Sequence, residues 1–284
     1  MPTFTNKATL SYNGRTTDSN TVTGNYTETL AISKTAVGGT YSDGSQVTYA
    51  VSLINSGVTA FTGLTLTDTL GNYPFGETET LYPLTYLEGS LLYYVNGVVQ
   101  EAPTVENTQP LTVNGINIPA GGTALLIYQT EVNEFAPLDV GSTIVNTATV
   151  TGGGLTEPLV ATETVNTLDE PNLTITKALS PTQVVENGAI TYTFVIQNYG
   201  NTAAVATDNA VVTDTFNPIL NITSVTLDGA ALAEGTGYTY DEATGEFATV
   251  ASVITVPAAT YTQQPDGSYQ VTPGFTTLVV NGTI

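Results

Sequence analysis

Few of the 284 residues can do covalent or acid–base chemistry: there is no Cys, His or Trp, and only four basic side chains, Lys7, Arg15, Lys34 and Lys177. Thiolate chemistry, imidazole general-base catalysis and Ser-His nucleophile activation are therefore excluded, and a conventional hydrolase with them. Two of the lysines stand out by position. Side chains alternate along a strand, so LAISK places Leu30, Ile32 and Lys34 on one face, and LTITK does the same with Leu173, Ile175 and Lys177. LTLTDTL aligns Leu64, Leu66, Asp68 and Leu70, while AVVTDTF aligns Ala210, Val212, Asp214 and Phe216. IVNTATV adds Ile144, Asn146, Ala148 and Val150. An amine, a carboxylate and a carboxamide are thus predicted to point into one core. Burying the two charged groups is costly unless they are paired and hydrogen-bonded, so the trio needs a reason. On the residues alone, it reads as a hydrogen-bond network that fixes strand register.

The elements that carry these groups are strands. The chain is 41% hydrophobic and only 10% charged, and its abundance of Thr, Val, Tyr, Gly and Asn suits half-buried strands joined by tight turns, hence an all-β fold. Its length suits two domains, and self-comparison finds two copies of one. LAISKTA (30–36) matches LTITKAL (173–179), and DGSQVTYAVSLINSG (43–57) matches ENGAITYTFVIQNYG (186–200) at the same offset of 143. LTLTDTL with Asp68 then matches AVVTDTF with Asp214. INIPAGG and TALLIYQTEV pair with ITVPAAT and FTTLVVNGTI, where the second copy stops. The first copy continues to IVNTATV, its expected last strand, and PLVATETV is read as leading into the second domain. The linker NTLDEPN (166–172) is short and stiffened by Pro171, which predicts a rod of two domains.

Near the N-terminus FTNKATL repeats the missing ending, with Phe4, Asn6, Ala8 and Leu10 on one predicted core-facing side. The expected layout is an N-terminal donor strand or hairpin segment at 1–28, one sandwich at 29–167, and a second at 168–284 that lacks its last strand.

With these motifs in place, both copies resemble the prokaryotic "conserved repeat" domain, an Ig-like β-sandwich found in tandem arrays on bacterial surface proteins. The resemblance rests on the Lys-ended first strand, VTYAVSLINSG and ITYTFVIQNYG, the VTDTF-type segment and the closing NTATV. It implies two tandem Ig-like β-sandwiches. The polar trio is similar to that of Gram-positive pilin and adhesin domains, where a first-strand Lys joins a last-strand Asn beside an acid. That likeness implies an isopeptide crosslink between Lys34 and Asn146 promoted by Asp68, and, where the N-terminal strand of one subunit completes the next, a second between Lys177 of one subunit and Asn6 of another with Asp214 as the acid. An apolar site favours the neutral forms of amine and acid. The acid would polarise the Asn carbonyl, the amine attack and ammonia leave, with folding supplying proximity. Network and crosslink both remain open at this point.

The formal net charge of −21, from 25 acidic and four basic residues, leaves nothing to track phosphates, so nucleic acid is not an expected partner. Calcium is an option through Asp169 and Glu170 beside the linker, although two carboxylates without a spaced third are a weak signal. No apolar run approaches the roughly 20 residues of a membrane span, and MPTFTNKATL is not expected to be a signal peptide; no wall-sorting tail is read either. The Asn-x-Ser/Thr sequons at Asn25, Asn172, Asn221 and Asn281 carry no weight in so Asn- and Thr-rich a chain. Gly152–Gly154 is expected to be a turn and not a phosphate loop. YLEGSLLYYVNGVVQ reads as a hairpin turning at Asn96-Gly97, its tyrosines as packing residues.

The expected function is a structural, non-enzymatic subunit of an extracellular or spore-surface filament, a pilus-like appendage without a cofactor. The N-terminal strand of one subunit would complete the second domain of the next by donor-strand complementation, with Phe4, Asn6, Ala8 and Leu10 at the interface. The alternative is a monomeric surface adhesin binding a glycan or host protein.

Overall fold

A computed structural model describes residues 3–25 and 29–284. It is nearly all β, 58% strand and 1% helix, and its strands form sandwiches of facing sheets in tandem. The N-terminal segment is a hairpin: β1 (Thr3–Asn6) pairs with β4 (Val22–Asn25), and β2 (Thr9–Tyr12) with β3 (Arg15–Asp18), both antiparallel. Asn13 and Gly14 turn it with φ of 47° and 71°, the left-handed pair that an Asn-Gly turn of type I′ accommodates. Ser19 N–H donates to Ala8 O at 2.8 Å. The returning strand therefore holds one extra residue in the Asn20–Thr21 step, and the alternation of residues 3–12 is not interrupted.

The first domain is built on β5 (Leu30–Val37), β6 (Thr40–Tyr41), β7 (Gln46–Asn55), β8 (Phe61–Asp68), β9 (Leu111–Ile118), β10 (Thr123–Val132), β11 (Thr143–Gly152) and β12 (Leu159–Thr167). One sheet runs β10–β7–β5, with the Leu92–Val95 and Val98–Gln100 hairpin beyond β10. The facing sheet runs β9–β8–β11–β12–β6. Between them lie Leu53, Leu64, Leu66, Leu111 and Leu126, each 0% exposed; a leucine buried this fully contributes about 1.5–3 kcal/mol. The expected hairpin at Asn96-Gly97 forms, with φ of 50° and 77°, and Tyr86 and Tyr93 within that segment are buried.

PLVATETV does not lead out of the domain. It is β12, paired along β11 from Thr143↔Asn166 to Val150↔Leu159, packed on β5 and joined to β6. Its inward set is Leu159, Ala161, Glu163 and Val165, of which Val165 is fully buried. Glu163 breaks the apolar alternation, which is why the segment resembles a linker. The first domain is closed by a two-stranded hairpin, not by one last strand.

The second domain has β13 (Leu173–Ser180), β14 (Ala189–Asn198), β15 (Thr213–Thr215), β16 (Glu246–Thr249) and β17 (Gly274–Thr283). β13–β14–β17 and Asn221–Leu227 form one sheet; β15, β16 and Tyr238–Asp241 form the other. Phe194, Phe216, Phe247, Leu278 and Val280 fill its core. Among the described residues neither β11 nor β12 has a counterpart here. A further hairpin, Thr260–Gln263 with Tyr269–Thr272, reaches the first domain, where Tyr269 N–H donates to Glu134 O at 2.7 Å.

Candidate functional site

In the first domain, β5, β8 and β11 bring Lys34, Asp68 and Asn146 into the core, where the three residues are 4%, 0% and 0% exposed. Lys34 Nζ lies 2.5 Å from Asp68 Oδ2. The Tyr128 hydroxyl also donates to Oδ2, and Leu70 N–H donates to Oδ1 at 3.0 Å. The Lys34 ammonium stands 4.6 Å from the Tyr49 ring centroid, within cation–π range. Burial pulls the Lys34 pKa below its ordinary 10.5, opposed by the charges of Asp68 and Glu163. Burial likewise pushes the Tyr128 hydroxyl up, and the Asp68 charge adds to it.

Asn146 is held by its carbonyl. Oδ1 accepts from Gly71 N–H and from the Thr69 hydroxyl, each at 3.2 Å. Nδ2 is buried and makes no hydrogen bond of full geometry among the described residues; its polar neighbour is the Tyr49 hydroxyl, buried in the same condition. Gly71 has φ of 70°, and a Cβ there would come within 2.3 Å of Ile144 Cγ2; glycine lets this N–H reach the carboxamide. Asp68 therefore addresses the amine, while Gly71 and Thr69 address the carbonyl. The sequence reading had given the acid the carbonyl's task.

Tyr128, Tyr49, Thr69 and Gly71 were not singled out from the sequence. Alternation in TALLIYQTEV offered a signal, since Ala124, Leu126, Tyr128 and Thr130 are all buried on one face. Thr69 and Gly71 lie in the turn after β8, and no periodicity marks them.

The second domain holds the same pair under different conditions. Lys177 Nζ contacts Asp214 Oδ2, yet the two side chains are 41% and 16% exposed. Tyr192 lies 4.6 Å below the ammonium, and Phe194 and Phe216 each 5.5 Å from it. Every residue of β13 is exposed, although LTITK predicts Leu173, Ile175 and Lys177 to face a core. Leu173 is 37% and Ile175 53% exposed, against 4% for Leu30, the equivalent of Leu173. The cause is the missing cover: among the described residues no strand packs on β13 as β12 packs on β5, and β15 pairs with β16 alone, whereas β8 pairs with both β9 and β11.

Asn6 lies on β1, which among the described residues pairs with β4 alone, so a single chain does not bring it to Lys177 and Asp214. Phe4, Asn6, Ala8 and Leu10, predicted to face a core, are all exposed, Phe4 at 47% and Leu10 at 62%. Asp169, considered for calcium, accepts from Thr167 Oγ1 at 2.9 Å and Asn201 Nδ2 at 2.7 Å. No cluster of three or more acidic groups able to hold a metal occurs among the described residues.

No protein-family model and no curated protein matches the chain. Solved structures resemble it distantly. A variant of the major pilin subunit of Bacillus cereus aligns over 99% of this chain and 74% of its own, at 14% identity and a TM-score of 0.39. The pilus backbone protein of Streptococcus pneumoniae aligns over 86% and 92%, at 15% identity and 0.33. A collagen-binding domain of a Staphylococcus aureus adhesin aligns over 50% and 99%, at 13% and 0.31. The chain spans 27% of the length of a family 123 glycoside hydrolase from Clostridium perfringens, also matched at a TM-score of 0.30.

Proposed function

We propose that this chain is the structural subunit of an extracellular filament, such as a spore-surface appendage, that grows head to tail by donor-strand complementation. One observation carries the reading: the strand that closes the first domain recurs near the N-terminus, with its inward residues Ile144, Asn146, Ala148 and Val150 buried and their equivalents Phe4, Asn6, Ala8 and Leu10 exposed. Thr143, Asn146, Ala148 and Thr149 recur as Thr3, Asn6, Ala8 and Thr9, an offset of 140, while the second domain leaves β13 and one edge of β15 uncovered. Strand addition would supply main-chain hydrogen bonds to that edge, with Phe4, Ala8 and Leu10 as core contacts. The contact is heterologous and does not close on itself, so it propagates.

Isopeptide bonds would lock the fold and the filament. In the first domain the neutral Lys34 amine attacks Asn146 Cγ; the Nζ–Cγ bond forms, the Cγ–Nδ2 bond breaks, and the proton lost by Nζ passes to Nδ2, which leaves as ammonia. Asp68 shuttles that proton, and the Gly71 N–H and Thr69 hydroxyl stabilise the developing oxyanion. An Nδ2 without a hydrogen bond of full geometry and the held Oδ1 support this division of roles. Between subunits, Lys177, Asp214 and Asn6 would do the same. Electron microscopy of the purified chain tests the reading: filaments are expected from the full chain and none when residues 1–13 are deleted. Filaments from the deleted chain would overturn it.

A further inference from the structure

Donor-strand complementation as proposed above adds a single strand. The first domain, however, is closed by two, and the second lacks both. Resting on the filament reading above, we propose that the whole 3–25 hairpin inserts into the neighbouring subunit, its first strand along β15 and its returning strand over β13.

Three observations converge. First, the hairpin matches the closing hairpin in size: residues 3–12 equal β11 in length, ten residues each, and both return antiparallel. Second, the exposed face of the second domain has the shape of two missing strands. An edge on β15 calls for one strand; the bare side chains of β13 call for another, because it is β12, not β11, that packs on β5 in the first domain. Third, the apolar cross-strand pair of the closing hairpin has a counterpart in which one large side chain covers both positions. In the closing hairpin Ile144 stands opposite Val165, both buried. In the N-terminal hairpin Phe4 stands opposite Gly24, and its ring occupies the space a side chain there would need: a Cβ on Gly24 would meet Phe4 Cζ at 2.3 Å. Gly24 lies in an extended strand, so it is the ring in this position, rather than the backbone, that a side chain at residue 24 would displace.

The register follows by transfer. Ala148, Thr149 and Val150 lie opposite Asp68, Thr67 and Leu66; Ala8, Thr9 and Leu10 would lie opposite Asp214, Thr213 and Val212. The returning strand puts Val22, 56% exposed in the single chain, where Glu163 approaches Lys34 in the first domain.

The test compares filament growth, by light scattering and electron microscopy, for the full chain, a chain lacking residues 1–25, G24V and F4I/G24V. G24V crowds the ring out of its place on the second strand, and growth should slow about tenfold or more. F4I/G24V rebuilds the Ile144/Val165 pair and should restore growth. If G24V grows at the wild-type rate, or F4I/G24V grows no faster than G24V, hairpin insertion is overturned. If the full chain forms no filaments, or the chain lacking 1–25 forms them equally well, the filament reading itself fails, and this inference with it.

Discussion

Replacing Asn146 with Ala removes the electrophile and both acceptor contacts of the proposed crosslink, and its cost can be worked from positions. Lys34 and Asn146 are 112 residues apart (146 − 34). Treated as a crosslink that restricts the unfolded chain, a loop of that size contributes about 4.8 kcal/mol at 25 °C. The first domain, residues 29–167, has 139 residues (167 − 29 + 1), so its unfolding entropy near the midpoint is about 0.29 kcal/mol/K and the loss corresponds to roughly 16 °C in Tm. The Gly71 N–H and Thr69 hydroxyl, left without Asn146 Oδ1, add a few degrees more. Intact-mass measurement comes first: the wild-type chain should weigh less than its sequence by one ammonia per bond, and N146A should restore the ammonia of the first domain. Calorimetry then reads the shift. A folded wild-type chain at its full sequence mass would refute the crosslink and leave a hydrogen-bonded network. A chain that has lost ammonia, yet whose N146A variant melts within a few degrees of wild type, would refute the entropic reasoning.

Asn6→Ala should leave filaments that dissociate on boiling in detergent, whereas wild type runs as a ladder of covalent oligomers; an unchanged ladder would exclude Asn6 as the acceptor. Leu66→Ala, in a site with no exposure, should cost about 2–5 kcal/mol by chemical denaturation, and a loss below 1 kcal/mol would contradict the packing described. In N146A the Lys34 amine stays free, and because burial holds its pKa below the 10.5 of the unfolded chain, the unfolded state binds more protons in that window. Stability of this variant should therefore rise with pH toward 10.5. The upward-shifted Tyr41, Tyr49, Tyr73, Tyr128, Tyr238, Tyr240, Tyr261 and Tyr269 oppose this as the pH nears 10, where unfolded tyrosines lose protons first. A fall in stability between pH 7 and 9, below the tyrosine range, would contradict the burial of Lys34.

Much of the candidate site was legible because strand side chains alternate with a period of two, and a polar residue in phase with apolar ones has little choice of direction. Lys34, Asp68 and Asn146 were all in phase, and all are buried. Hydrogen-bond assignments within the site were not legible: Asp68 and Asn146 are separated by 78 residues (146 − 68), and which donor each meets depends on the turn holding Thr69 and Gly71. β12 was read as a connection because Glu163 interrupts its inward face; only its pairing with β11 and packing on β5 reveal a structural strand.

The all-β class, the duplication and the recurrence of one closing strand near the N-terminus could all be read without coordinates, because each is a property of local pattern and self-similarity. Long-range contacts were needed to see that the recurring unit is a hairpin, and that Lys34 is sealed while Lys177 is open. The physical reason is the same in each case: burial depends on which strand covers a face, and the strand that covers β5 is over a hundred residues away in the chain, beyond the reach of any periodicity.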